Sequence, residues 1–383
     1  MKIALGMIIR SLDSEMELIS FIENAEKFGH KLDCVIVAYT QQHDLQIEST
    51  INKKVPLYAV DIKNPHYCRT HFRHLGISEL SQRHLLDCPV DTRSGLVPYG
   101  FNRTIVVMEA ILREIDVLFF VDSDVTPYVL RKTPDGVTLD EVDFFNSHLT
   151  HLHAGAEVTT GEYSGYNILP QASFDGMDDL LAGVQKTNML EYWRTSKEHK
   201  CLVFQHNEIT AKPCKKILGG NMAIKLPTFA KLPPFFSSHY TLGGELFLCR
   251  GEDTMLGIEM SQSGIVCTDI GVNPLHDTYK NYPVEPDLQN DPEAQKRFYY
   301  ACTGWVGRNP LLNHILGNDL YSAKEYQRER LERGLRALAS YTTNPIYYSV
   351  MRNFEVSWDS LGRYVNEFER VSEAWQELME RIY

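Results

Sequence analysis

The sequence predicts an α/β protein with a Rossmann-like, mostly parallel sheet, flanking helices and a helical C-terminal extension. Three apolar runs, at 2–9, 32–39 and 117–121, have the length and composition of strands that are buried on both faces. Stretches with helical apolar spacing lie between them, and this alternation is typical of a parallel sheet. From about residue 319 the pattern becomes helical and charged.

The predicted helices and strands in the first part of the chain support the α/β fold class. After the first strand, apolar residues at helical spacing predict a helix over 18–28. A weaker strand at 55–62 follows the second strand, and a helix over 103–114 precedes the third apolar run. The segment 63–100 is rich in histidine and arginine. It lacks cysteines or acids at ligand spacing, so we expect a helix and a loop there rather than a metal site.

The later part of the chain is less regular. We expect a helix near 138–152 and strands within 156–170, where β-branched and aromatic residues are frequent. The segments 215–229 and 264–279 each resemble a strand followed by a loop.

Composition limits the classes of function. The 383 residues carry a formal net charge of −12, which argues against binding to nucleic acids or anionic membranes. The N-terminal apolar stretch is too short to span a membrane and has no cleavage site, and no later run approaches the roughly 18 residues of a span. We therefore expect a cytoplasmic protein. Its eight cysteines are scattered without a C-x-x-C pair and are expected to be reduced.

Two carboxylates follow the third apolar run, in the sequence Asp122-Ser123-Asp124. In α/β proteins ligands bind in the crevice beyond the carboxyl ends of the strands, so these acids are placed to hold one. Three further motifs follow in order: "GGNMAI" at 219–224, "RGEDTMLG" at 250–257 and "PLHDTY" at 274–279.

Taken together, these motifs resemble those of GT-A-fold glycosyltransferases, the metal-dependent class that uses nucleotide sugars. The DXD motif of that class matches the acids at 122–124, and its acidic motif matches Glu252-Asp253. Its acceptor-side glycine loop matches Gly219-Gly220-Asn221, and its late histidine ligand matches His276. The resemblance covers roughly residues 1–280. Within the class, the chain is similar both to glucosyl-3-phosphoglycerate and mannosylglycerate synthases and to inverting sugar transferases, so the subfamily stays open.

The resemblance implies a bound Mn²⁺ or Mg²⁺. The departing nucleoside diphosphate requires a Lewis acid, and these ions accept one or two carboxylates together with phosphate oxygens and water. We expect Asp124 to be the main ligand and Asp122 to reach the ribose or a metal-bound water. His276 would complete the coordination, and its imidazole favours Mn²⁺.

The resemblance also implies how transfer is catalysed. An inverting enzyme needs a carboxylate that takes the proton of the acceptor hydroxyl. Asp253 is the candidate base, with Glu252 as its substitute. In a retaining enzyme the same acids would bind the donor sugar or the acceptor.

The nucleotide is expected to lie at the ends of the first strands. Three polar residues stand there: Arg10, Thr40 and Asp61. Arg103, in "GFNRT", opens a helix and is a candidate for the diphosphate. A structural ion pair of Arg103 with Glu109 or Asp116 is an equal alternative.

The acceptor is expected to contact Gly219, Gly220 and Asn221, together with the segment 156–170. If it is a small anionic acid, its counter-charges are three basic residues near the motifs: Lys215, Lys216 and Arg250. The predicted partners are therefore a UDP- or GDP-hexose donor and a soluble acceptor, and the C-terminal helices are a candidate homo-oligomer contact.

This interpretation divides the chain into three parts. Residues 1–127 form the nucleotide-sugar-binding half, 128–318 the acceptor half and 319–383 the helical extension. A haloacid-dehalogenase-like phosphatase is the rival enzyme class, with Asp122 as nucleophile. Its motif normally ends the first strand of the domain, whereas at least three strands precede it here. A non-catalytic sugar-nucleotide-binding protein is a third alternative.

Overall fold

The structure is a computed structural model, which describes residues 1–13, 16–170, 172, 174–189, 202–206 and 209–383. The strands are β1 (Ile3–Ile9), β2 (Cys34–Tyr39), β3 (Leu57–Asp61), β4 (Val117–Asp122), β5 (Val125–Thr126), β6 (Tyr128–Thr133), β7 (Gly136–Glu141), β8 (Val158–Thr160), β9 (Gly165–Tyr166), β10 (Leu202–Val203), β11 (Lys212–Pro213), β12 (Asn221–Lys225), β13 (His239–Leu242), β14 (Glu245–Leu248), β15 (Cys267–Asp269) and β16 (Leu275–His276). The α-helices are α1 (Met16–Lys27), α2 (Leu45–Asn52), α3 (His66–Leu75), α4 (Glu79–Leu86), α5 (Tyr99–Leu112), α6 (Phe144–His153), α7 (Met177–Gly183), α8 (Glu252–Gln262), α9 (Pro292–Ile315), α10 (Leu320–Thr342), α11 (Ser349–Asp359) and α12 (Leu361–Ile382).

The central sheet has eight strands in the order β11-β15-β8-β12-β4-β1-β2-β3. The neighbours β4, β1, β2 and β3 run parallel, as do β15 and β8. β12 is antiparallel to both of its neighbours, and β11 is an antiparallel edge strand. The predicted fold class, a Rossmann-like and mostly parallel sheet with flanking helices, is confirmed by this topology.

The strands β1 and β4 lie at the centre because both of their faces are covered. One face packs against α5 and the other against α1 and α6, and every residue from Val117 to Val121 is fully buried. α5 approaches β1 closely at Gly6, where a Cβ atom would lie 2.8 Å from Cγ1 of Val106. The continuous apolar run of β4 thus reflects burial on both faces.

Three local predictions differ from the structure. The segment predicted as a helix near 138–152 begins as the hairpin strand β7, and its helix α6 starts only at Phe144. Residues 63–100 contain two α-helices, α3 and α4. The helical part of the chain begins at Pro292 rather than near residue 319.

The C-terminal helices form a second apolar core and then return to the sheet. α9, α10 and α11 pack with α7 around buried residues such as Trp305 and Leu335. α12 instead joins the core beneath the sheet, where the Trp375 ring packs on Phe229 at 5.6 Å and its Nε1 donates to the Phe229 carbonyl at 3.2 Å. The extension is therefore packed into the same body as the sheet.

Within the described ranges, no helix combines the length and apolarity needed to cross a bilayer. The seven described cysteines are unbridged, and Cys201 lies outside the described residues.

Replacement of Trp375 by alanine tests this packing. We expect Trp375→Ala to lower the free energy of unfolding by about 3–5 kcal/mol, because it leaves a large cavity under α12. Urea denaturation followed by circular dichroism measures the change. The control is Tyr383→Ala, whose side chain is 59% exposed. An equal, small effect of both substitutions would contradict the described packing of α12.

Candidate active site

The ends of four parallel strands bring the predicted nucleotide residues to one edge of the sheet. In the register, Ile8 pairs with Asp122, and Tyr39 pairs with both Ile9 and Asp61. Arg10 and Thr40 directly follow β1 and β2 and so lie at the same edge. The hydroxyl of Thr40 is buried and donates to the carbonyls of Arg10 and Gly95, at 3.2 and 3.0 Å. Thr40 therefore fixes the shape of this edge through the backbone.

Asp61 has a local backbone partner. Its Oδ1 accepts a hydrogen bond from the Lys63 amide at 2.9 Å, so the carboxylate stabilises the turn after β3. The second carboxylate oxygen lies at the same sheet edge, where we predicted a contact with a base.

Asp124 and His276 are brought together by a short antiparallel pair of strands. β5 pairs with β16 so that Val125 lies opposite His276, and the Asp277 amide donates to the Asp124 carbonyl at 2.8 Å. As a result, Nε2 of His276 lies 3.1 Å from Oδ1 of Asp124. The other ring nitrogen, Nδ1, lies 3.1 Å from the Thr278 hydroxyl, which orients the imidazole.

The electrostatics of this pair reflect their contact. Burial lowers the pKa of His276, but the adjacent Asp124 carboxylate outweighs it, so the pKa is raised overall. Burial likewise raises the pKa of Asp124, and His276, Arg297 and Lys280 together bring it below its usual value. An anionic Asp124 facing several cationic groups is the result.

Arg103 is fully paired inside the protein. Its Nη2 donates to Oδ1 of Asp122 at 2.7 Å, its Nε to Oε1 of Glu252 at 3.1 Å, and its Nη1 to the Gly219 carbonyl at 2.7 Å. The side chain is only 4% exposed. These contacts leave Arg103 without access to a diphosphate, in contrast to the role predicted from sequence. Of the two predicted roles of Arg103, diphosphate binding and a structural ion pair, the structure favours the ion pair. Its partners are Asp122 and Glu252 rather than the predicted Glu109 or Asp116.

The glycine loop is shaped by the same ion pair. A Cβ atom on Gly219 would lie 2.6 Å from Cζ of Arg103, and one on Gly220 would lie 2.3 Å from Oδ2 of Asp122. Any side chain at either position would collide with the ion pair, so both residues bring their backbone against it.

Asn221 is buried in the sheet rather than open to an acceptor. Its Nδ2 donates to the carbonyls of Glu162 and Val272 at 2.9 and 3.1 Å, and its Oδ1 lies 3.2 Å from Nε2 of His148. With both amide hydrogens in use, the side chain joins the strands and has no donor left for a ligand. This differs from the acceptor-binding role predicted for it.

Glu252 and Asp253 open α8 and differ in exposure. Glu252 is 7% exposed, and burial together with the neighbouring Asp253 charge raises its pKa to about 7, against the effect of Arg103. Asp253 is partly exposed; its Oδ1 accepts from the Thr254 amide at 2.6 Å and its Oδ2 from the Gly219 amide at 3.3 Å. Asp253 is thus the more accessible carboxylate of the two.

The side-chain donors fit a divalent cation whose remaining ligands come from a bound substrate and from water. No cluster of three or more His, Cys, Asp or Glu side chains suited to a metal occurs among the described residues. Asp124 and His276 supply two donors, while one oxygen of Asp122 is held by Arg103. Mg²⁺ and Mn²⁺ sites commonly combine so few protein ligands with phosphate oxygens and water.

Two cationic residues near Asp253 were not predicted from the sequence: the buried Arg308 and the partly buried Lys186. Arg308 is 2% exposed and donates to the carbonyls of Val184 and Gln185, at 3.4 and 3.1 Å. Burial lowers its pKa to about 10, although Asp253 offsets part of the effect. Burial and the nearby Arg308 lower the pKa of Lys186 to about 7. Across the described part of the chain, neither forms an ion pair with a carboxylate, and no motif in the sequence marks them.

The predicted counter-charges occupy different environments. Lys215 and Lys216 are exposed, and Lys216 forms an ion pair with Glu162. Arg250 is partly buried, and its positive charge lowers the pKa of both Lys186 and Arg308. Of the three predicted counter-charges, Arg250 is therefore the one that lies near Lys186 and Arg308.

Comparison with solved structures identifies proteins that the sequence motifs also resemble. Glucosyl-3-phosphoglycerate synthase from Mycobacterium tuberculosis, in complex with Mn²⁺ and UDP-glucose, is 13% identical over 83% of this chain and 79% of that chain, with a TM-score of 0.38. The same enzyme with phosphoglyceric acid is 14% identical over 79% of each chain, with a TM-score of 0.36. No protein-family model and no curated protein matches the sequence.

Removal of the Arg103 guanidinium tests the ion-pair network. We expect Arg103→Met to lower the free energy of unfolding by about 3–5 kcal/mol, because it leaves the buried Glu252 and the partly buried Asp122 without a cation. Chemical denaturation measures the loss. In the double variant Arg103→Met/Glu252→Gln one of the stranded charges is gone, so part of the stability is regained. A double variant as unstable as the single one would contradict the described pairing.

Proposed function

We propose that this chain is a metal-dependent glycosyltransferase that transfers a hexose from a UDP- or GDP-sugar to a small anionic acceptor. The observation that carries the proposal is the meeting of Asp124 and His276, 3.1 Å apart, at the sheet edge where β1 to β4 end. A carboxylate and an imidazole at that edge suit a divalent cation bound to a nucleoside diphosphate.

The donor side is assembled from the strand ends. Asp124 and His276 would hold a Mn²⁺ or Mg²⁺ ion, which when bound would supply Lewis acidity for the departing diphosphate. Arg103 fixes Oδ1 of Asp122, so Oδ2 is directed towards Gly220 and accepts a hydrogen bond from the ribose or a metal-bound water. Asp61 accepts from a base N–H, and Arg10 and Thr40 line the same edge.

The acceptor side is defined by an excess of positive charge around Asp253. Lys186, Arg250 and Arg308 lie near one another, and Asp253 is the carboxylate that interacts with Lys186 and Arg308; bringing like charges together away from water is costly without anions. A phosphate or carboxylate on the acceptor would neutralise this cluster. Gly219 and Gly220 present their backbone to the same space.

Asp253 is the carboxylate that acts on the reacting groups. It accepts the acceptor hydroxyl's proton if the reaction inverts the anomeric centre, and it binds the donor sugar if the reaction retains it. Glu252 is buried against Arg103 and controls the charge next to Asp253. The anomeric ¹H NMR signal of the product decides between the two stereochemical outcomes.

Thermal denaturation with nucleotides tests the donor site. We expect UDP or GDP, with Mn²⁺, to raise the melting temperature of the wild type, because a ligand at a hundredfold excess over its Kd stabilises by about 2.7 kcal/mol. Asp124→Asn is expected to lose this shift. The control is Asp140→Asn, which removes a carboxylate of the β6–β7 hairpin that pairs with Arg131.

Transfer assays with paired acceptors complete this test. Hydroxy acids and their phosphates are expected to accept the hexose, and uncharged polyols of the same length to accept it poorly. If no nucleotide changes the melting temperature and the protein hydrolyses a simple phosphate ester, the result would indicate a phosphatase and contradict the glycosyltransferase proposal. If the protein binds the nucleotide but transfers the hexose to no acceptor, the result would indicate a non-catalytic sugar-nucleotide-binding protein.

The pH dependence of transfer tests the acidic pair. Because the pKa of Glu252 is raised to about 7, its carboxylate is protonated below that pH and charged above it. We expect kcat/KM to rise between about pH 6 and about pH 8, since an ionised Glu252 adds a negative charge beside the carboxylate that receives the acceptor's proton. Glu252→Gln is expected to remove this inflection, and Asp253→Asn to lower kcat by about a hundredfold or more. A flat wild-type profile would contradict the assignment.

A further inference from the structure

A third arginine, Arg297 on α9, reaches the proposed metal ligand from the C-terminal helices. Its Nη2 lies 3.4 Å from Oδ2 of Asp124, and its guanidinium lies over the Tyr279 ring at 5.9 Å from the centroid. The side chain is about one-third exposed, at 35%. Arg297 therefore lines the site and faces the carboxylate that the proposed function assigns to the metal.

Arg297 has unused hydrogen-bonding capacity. A guanidinium carries five N–H donors in a rigid fork. In the part of the chain that the structure describes, its Nε is buried and has no hydrogen-bond partner, and its one bond to a carboxylate is long, at 3.4 Å. Arg103 differs, because all three of its nitrogens donate to protein acceptors. Of these two described arginines, Arg297 is therefore the one with a donor left for a ligand.

Arg297 and a metal ion compete for the same carboxylate. The two oxygens of Asp124 face His276 on one side and Arg297 on the other. A divalent cation bound to Asp124 would repel a guanidinium a few ångströms away. The oxygens of a diphosphate bound to that cation would offer the guanidinium a bidentate partner instead.

We propose that Arg297 is a donor-positioning residue that binds the diphosphate of the nucleotide sugar. It pairs with Asp124 when the donor is absent, and it turns to the diphosphate oxygens when metal and nucleotide bind together. This inference rests on the proposed function, and it assigns the C-terminal helices a direct part in donor binding.

Metal and nucleotide binding measured separately test the proposal, because Arg297 has opposite effects on the two. We expect Arg297→Gln to bind Mn²⁺ alone several-fold more tightly, as followed by the electron paramagnetic resonance signal of free Mn²⁺. With saturating Mn²⁺, the same variant is expected to bind UDP or GDP about 10–100-fold more weakly by calorimetry. The affinity for uridine or guanosine, which lack the diphosphate, is expected to be unchanged.

Two further variants make the result specific. Arg297→Lys keeps the charge but loses the fork, and we expect an intermediate affinity for the diphosphate. Lys296→Gln removes the neighbouring cation of the same helix, which is 64% exposed and pairs with Glu293 at 3.9 Å, and we expect wild-type binding. If Arg297→Gln fails to fold, Arg297→Lys alone decides the question.

The outcomes separate this inference from the function on which it rests. Wild-type protein that binds Mn²⁺ and nucleoside diphosphate, with Arg297 variants that bind both equally well, would overturn the role of Arg297 alone. Wild-type protein that binds neither would overturn the proposed function and the inference with it. An equal loss of uridine or guanosine binding in Arg297→Gln would show a general distortion of the site, and it too would overturn the diphosphate role.

Discussion

The site depends on the buried guanidinium of Arg103. It joins three separate segments: the end of the central strand β4 through Asp122, the start of α8 through Glu252, and the glycine loop through the Gly219 carbonyl. Burying an arginine is costly unless its charge is compensated and its donors are used, and all three contacts of Arg103 serve that need. The guanidinium leaves no room for a side chain at residue 219, and the Asp122 carboxylate that it fixes leaves none at residue 220, so the loop requires glycine at both positions.

This network gives the two acids of the motif different properties. Asp122 ends β4 and is fixed by Arg103, whereas Asp124 lies beyond the strand and faces His276 across the β5–β16 pair. A carboxylate already bound to a buried arginine has one oxygen left for a ligand, while Asp124 is surrounded by groups that a metal can displace or join. The two acids, one residue apart, therefore differ: Asp122 is anchored by a buried arginine, and Asp124 is the proposed metal ligand.

The sequence was most informative where a residue's role follows from its strand. The burial of β4, the position of Asp122 and Asp124 at its end, and the parallel edge that includes Thr40 and Asp61 all follow from apolar runs and sheet topology. The turn Pro134-Asp135-Gly136 between β6 and β7 is likewise a sequence signal of a hairpin. Asp291 followed by Pro292 likewise marks the start of α9, with a capping residue and a proline in the first turn.

Roles that depend on long-range packing were not accessible from the sequence. The helical position of Arg103 was predicted, but its burial depends on how α5 meets α8 and the glycine loop. Asn221 lies in a motif, yet its amide is used by His148 and two carbonyls from distant segments. Lys186 and Arg308 stand outside every motif, and only the contact of α7 with the C-terminal helices brings them to Asp253.

The position of α9 explains why the C-terminal helices belong to the site. Arg297 and Arg308 are 308 − 297 = 11 residues apart on this helix, which is close to three full turns, so they lie on one face about 16 Å apart. The first reaches Asp124, and the second lies close enough to Asp253 for that carboxylate to affect its pKa. Between them, Gly304 and Gly307 allow the segment with Cys249 and Arg250 to approach, since a Cβ on either glycine would lie within 2.8 Å of those side chains. One helix thus places two arginines next to the carboxylates at the sheet edge, and in the proposed function these would face the diphosphate of the donor and the anionic group of the acceptor.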